Sequence, residues 1–150
     1  MIVVNLYNQI FKTMAYDIDL LSLLGLYTNI ENLTDEDRID RNEHIQKRRK
    51  PSNILESLPL IAFYTPGGGA ERRNMAVYNA TFVFDIYTQD KVELAHSISE
   101  RLCYLFENKL NTFCGVENFT TKLVEAYESD SNLENTFCFT LVLEFSISLE

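Results

Sequence analysis

The chain has 150 residues, 46% apolar and 23% charged, with a formal net charge of −9. That suits one soluble globular domain with its own core, and no apolar run approaches the roughly 18 residues of a membrane span. Duplex DNA carries one negative charge per roughly 1.7 Å of axis, so a chain this acidic as a whole repels DNA.

The N-terminal stretch MIVVNLYNQIFK has no basic region before its apolar residues and no small-residue cleavage site. The expectation is that it carries no signal peptide and folds where it is made. Residues 5–24 repeat apolar side chains at three- and four-residue spacing: Leu6, Ile10, Met14, Ile18, Leu21 and Leu24. The spacing predicts one helix with a single core-facing stripe, Asn5 as N-cap and Gly25 just past the end.

Residues 26–58 form a long charged connection, with acids first and then the cluster Lys47, Arg48, Arg49 and Lys50. Thr34 is placed to cap one short, weakly docked helix, and Ile39 and Ile45 are its candidates for burial. The basic cluster is a candidate contact for an acidic partner, although a solvated helix end explains it more simply. PLIAFY at 59–64 reads as a short strand. The following TPGGGAERRN reads as a flexible arm at 65–74 rather than strand, with Pro66, Gly67, Gly68, Gly69, Arg72 and Arg73 its candidate contact residues. Ala70 and Glu71 follow the last glycine, so it is not a phosphate-binding loop.

Residues 75–87 alternate as a strand, with Tyr78, Ala80, Phe82, Phe84 and Ile86 on one face and Asn79, Thr81, Val83, Asp85 and Tyr87 on the other. The second face is mixed, which fits a surface that is wet or touches a partner. Asp90 and Glu93 have capping-box spacing before a second helix whose stripe runs from Val92 through Ala95, Ile98 or Ser99, Leu102, Leu105 and Phe106 to about Lys109. Two strands follow, 116–128 and 136–149, joined by a turn containing Asn132 and Asn135. The predicted architecture is α+β, in the order α-β-β-α-β-β. A four-stranded antiparallel or mixed sheet carries its helices on one face, within a single domain spanning 1–150.

Chemical signatures are sparse. Cys103, Cys114 and Cys138 are odd in number and include no CxxC pair, which favours structural thiols over disulfides. His44 and His96 are the only histidines, too few for a metal cluster. Cys103 lies seven residues after His96, roughly 10 Å along a helix and beyond hydrogen-bond reach. There is no GxSxG elbow. The expectation is a protein with no catalytic residues, no metal and no cofactor.

The order of DIDLLSLLG, the charged linker, PLIAFY, the glycine arm, FDIYTQD, KVELAHSISERL and two final strands resembles the tail-terminator (tail-completion or neck) proteins of long-tailed bacteriophages. The resemblance covers nearly the whole chain. It implies a non-enzymatic virion protein, assembled in the host cytoplasm. The chain would form a ring, usually hexameric, that caps the tail tube and joins the tail to the head connector. Its partners would be further copies of itself, the tail tube protein and the head connector or completion protein. DNA would pass through without sequence-specific binding, and no membrane is involved. From Glu117 onward seven acids stand against Lys122 alone, so Glu125, Glu128 and Asp130 become candidates to face the lumen or a partner. Three other readings remain. One is a different head–tail joining component such as a stopper. Another is a small α+β ligand-binding domain with a concave apolar pocket. The last is an enzyme without a local motif, betrayed by perturbed titratable groups in one cleft.

Overall fold

The computed structural model describes residues 2–70, 77–106, 111–113 and 116–148. Where one N-terminal helix is expected there are two, α1 (Ile2–Ala15) and α2 (Ile18–Leu23). Asp17 breaks them. Its backbone is extended and its side chain accepts the Leu20 N–H (3.0 Å), so it serves as N-cap to α2. Asn5 lies inside α1 and caps nothing. The far end follows expectation: Gly25 has φ +73, Gly25 N–H donates to Ser22 O and Leu26 N–H to Leu21 O, the paired bonds of a Schellman motif.

Helix α3 (Asp35–His44) has the capping box that Thr34 suggests, with Thr34 and Asp37 each bonding the other's backbone N–H. Ile39 stays 58% exposed, but Ile45 is buried and opens a two-residue strand, β1 (Ile45–Gln46), parallel to the start of β2. The connection is therefore anchored rather than exposed throughout. Gln46 is also buried, and it donates to Glu43 O and Ser52 O while accepting Ser52 N–H. His44 Nδ1 meets Pro59 O at 2.6 Å.

Four long strands stand where the alternation puts them: β2 (Leu60–Ala70), β3 (Val77–Thr88), β5 (Val116–Ser129) and β6 (Phe137–Ser148). The short β4 (Asn111–Phe113) and β1 extend these to a six-stranded mixed sheet, ordered β1-β2-β3-β6-β5-β4 and antiparallel except at β1–β2. The glycines 67–69 correct the reading of a free arm, because they pair in β2 with Thr81, Ala80 and Asn79 of β3 after a bulge at Tyr64/Gly67. A Cβ on Gly68 would lie 2.5 Å from Asn79 O, so the close approach of the two backbones requires glycine there.

Helix α4 (Val92–Phe106) lies back across the sheet as the strand–helix junction predicts. Its start differs from the expected Asp90 cap. Asp90 sits at φ +53, and Thr88 Oγ1 instead accepts Lys91 N–H and donates to Lys91 O. The stripe Ala95, Ile98, Leu102 and Phe106 packs with Leu6, Ile10 and Met14 of α1 onto Phe63, Phe82, Phe84, Leu143 and Phe145 of the sheet. Phe82–Phe145 and Phe106–Phe145 meet edge to face at 5.7 and 5.6 Å. Each buried Phe contributes about 1.5–3 kcal/mol by leaving water, which makes this inner layer the dominant stabilising term.

Candidate functional site

The outer sheet face, opposite the helices, carries a cluster of perturbed titratable groups. Asp85 of β3 is half-buried and accepts from Thr140 Oγ1 of β6 at 2.7 Å; Thr140 in turn bonds Ser129 Oγ of β5. Burial raises the Asp85 pKa, and the Thr140 bond opposes that rise. Burial likewise raises Tyr64 and Tyr87, and pushes the Cys138 thiol up to about 12. A thiol held that high stays protonated near neutral pH, which disfavours the thiolate. The cause throughout is desolvation on an open sheet face, and the groups form a cross-strand ladder rather than the lining of a cleft.

On the helix side, α4 packs mainly on β3 and β6 and meets β5 only lightly. The open groove left there has a volume of about 480 Å³, lined by His96, Ser99, Glu100, Cys103, Leu123, Ala126, Phe139 and Leu141. His96 lies edge-on to Phe139 at 5.0 Å. His96 and Cys103 share this groove, as their helical spacing requires. From Lys122 to Glu128 every side chain of β5 is exposed, on both faces, including Leu123 at 39%, Val124 at 48% and Tyr127 at 47%.

The candidate residues separate when placed on the fold. Pro66, Gly67, Gly68 and Gly69 belong to β2, while Arg72 and Arg73 lie outside the described residues. Glu125 pairs with Val142 and shares the outer face, whereas Glu128 pairs with Phe139 on the helix face. Asp130 sits in the turn and accepts Asn132 N–H at 2.8 Å. The three acids are not one patch. The basic cluster also divides: Lys47 Nζ reaches Asn8 Oδ1 (3.1 Å) and the Phe11 ring on α1, while Arg49 lies over Tyr64 on the outer sheet face. Arg48 and Lys50 are exposed. Among the described residues no group of His, Cys, Asp and Glu could hold a metal ion.

Three features had no sequence signal. Arg101 of α4 clamps Asp17 through two bonds, Nε to Oδ2 (2.8 Å) and Nη2 to Oδ1 (2.7 Å), across 84 positions of sequence. Arg41 lies between the rings of Phe11 and Tyr16, with its buried Nε and Nη1 making no hydrogen bond. The Asp85–Thr140–Ser129 ladder joins three strands.

The geometry defines an α+β fold with one helix-covered sheet face and two unequal sheet edges. That fold is shared with a chain of the virion of the native gene transfer agent (GTA) particle, at a TM-score of 0.65 over 95% of this chain and 94% of that one, with 9% sequence identity. No protein-family model matches the chain. Integrator complex subunit 10 of Gallus gallus is 36% identical over 85 residues, which is 57% of this chain but 12% of that protein. This chain spans too small a part of that protein to carry over its role.

Proposed function

We propose that the chain is a structural virion protein of the tail-terminator type. Copies assemble into a ring, hexameric as in the family it resembles, that caps the tail tube and joins it to the head connector. The observation that carries this reading is the end-to-end likeness of fold to a virion chain, 95% of one on 94% of the other. The element order seen in the sequence supports it independently. The role is non-enzymatic and rests on surfaces: the ring contacts further copies, the tail tube protein and the head completion protein at the neck of the particle. DNA slides through, held off by like charge. Gene deletion tests the terminator role. Without a cap the tube has no stop, so tails of uncontrolled length lacking heads are expected by electron microscopy. Deletion giving tails of normal length on heads that fail to join them would instead point to a stopper, and particles of normal form and infectivity would overturn both.

A further inference from the structure

The two sheet edges are open over matching stretches. On β2, β1 covers only Ile61 and Ala62; on β5, β4 covers only 116–118. The short strands sit at opposite ends. Following the ladder across, Thr121 is level with Phe145, Ala80 and Gly68, while Ala126 is level with Leu141, Phe84 and Phe63. The uncovered windows 121–126 and 63–68 thus lie at the same height. Because β2–β3, β3–β6 and β6–β5 are each antiparallel, β2 and β5 run in opposite directions. A copy displaced along the sheet would therefore present an antiparallel partner over these windows; beyond them the neighbour's β1 lies level with Tyr127 and Glu128, and β4 lies level with the neighbour's Ala70, so the pairing is confined to the windows.

We propose that the sheet continues from one copy of this chain into the next, with the β5 edge of one paired to the β2 edge of its neighbour and Glu125 of the first facing Arg49 of the second. Resting on the ring reading, the proposal names the surfaces that would close it. Glu125 is level with Val142, Val83 and Tyr64 on the outer face, and Arg49 lies over Tyr64 on that face. Among the described residues Glu125 has no ion-pair partner, since the one lysine of β5, Lys122, is taken by Glu144 (3.6 Å). Unpaired backbone groups, apolar side chains exposed on both faces and an unmatched carboxylate make β5 an edge that needs covering. Pro66 is placed where an edge strand tolerates it, and Thr65 N–H is already bonded to Tyr7 Oη (2.8 Å), so pairing there is incomplete. Two different edges make a heterologous contact, which closes into a ring when the rotation allows.

The test uses two variants of the full chain, E125K and R49E, both at exposed positions. Native mass spectrometry and sedimentation are run at low salt, where charge pairs weigh most. Wild type is expected to assemble, and each variant alone to need about tenfold or more protein to do so. An equimolar mixture restores both contacts, because a basic edge then meets an acidic one on each side, and it does so in rings of even, alternating composition. That rescue also shows that both variants fold. Variants that assemble like wild type would overturn the edge pairing while leaving the ring reading in place. Mixtures that stop at dimers would overturn it in favour of a β5–β5 contact. A wild type that stays monomeric up to its solubility limit overturns the pairing, and particle labelling then judges the virion reading separately.

Discussion

Replacing Asp17 by Ala removes two things at once. The first is the cap on α2, where the carboxylate accepts Leu20 N–H; losing an Asp N-cap costs about 1 kcal/mol. The second is the paired contact with Arg101, at 2.7 and 2.8 Å, in which the Asp17 side chain is 12% exposed and that of Arg101 24%. Hydrogen bonds to charged groups contribute about 1.5–3 kcal/mol. The lower end applies, because the freed guanidinium can rehydrate and still has Asp19 at 3.4 Å and the Tyr104 ring. The expected loss is about 2–3 kcal/mol for Asp17→Ala, and about 1–2 kcal/mol for Arg101→Met, which keeps the cap. Urea unfolding of both variants and the double variant closes the cycle, with a coupling of about 1 kcal/mol expected. If the two losses simply add, or if Asp17→Ala costs less than Arg101→Met, the clamp does not hold the α1–α2 break against α4.

Other outcomes follow from the outer face and the glycines. Burial raises the Asp85 pKa, so the folded state binds more protons than the unfolded one above the ordinary value of 3.8, and stability should fall as pH climbs from there to the folded pKa. Asp85→Asn keeps an acceptor for Thr140 and removes that charge; its urea midpoint should equal or exceed wild type at pH 7, and a lower midpoint contradicts the burial argument. Cys138, with its pKa near 12, should resist a thiol reagent at pH 8 until the protein unfolds, whereas half-exposed Cys103 should be labelled in the native state; peptide mass mapping reads both. Gly68→Ala should destabilise by about 1–3 kcal/mol because its Cβ meets Asn79 O. In a free arm the same change would be neutral or stabilising by about 0.4–1 kcal/mol, so a thermal melt separates paired strand from arm.

Period-2 and helical spacing made the long strands and α4 legible, because burial of one face is written into alternation: Phe82, Phe84 and Ile86 point inward as read. Capping chemistry was legible where it is local, at Thr34 and Gly25. It misled at Asp90, where Thr88 does the bonding, and it went unread at Asp17, whose extended backbone interrupts a stripe that looks continuous. Three adjacent glycines suggested an arm because they lack side chains to show alternation. Their pairing depends on β3 lying close enough to exclude a Cβ, which is a tertiary fact. The acids and bases chosen by local density divide between faces, because the pleat sends Glu125 and Glu128 to opposite sides after a bulge at Leu123/Glu125. The matching open edges depend on strand order, which no single segment encodes.

Gold labelling of purified particles with an antibody against this chain, viewed by electron microscopy, reads the protein's place in the particle. Label is expected at a single position, the junction of head and tail. Particles without label, with the protein left soluble in the lysate, would contradict the virion reading.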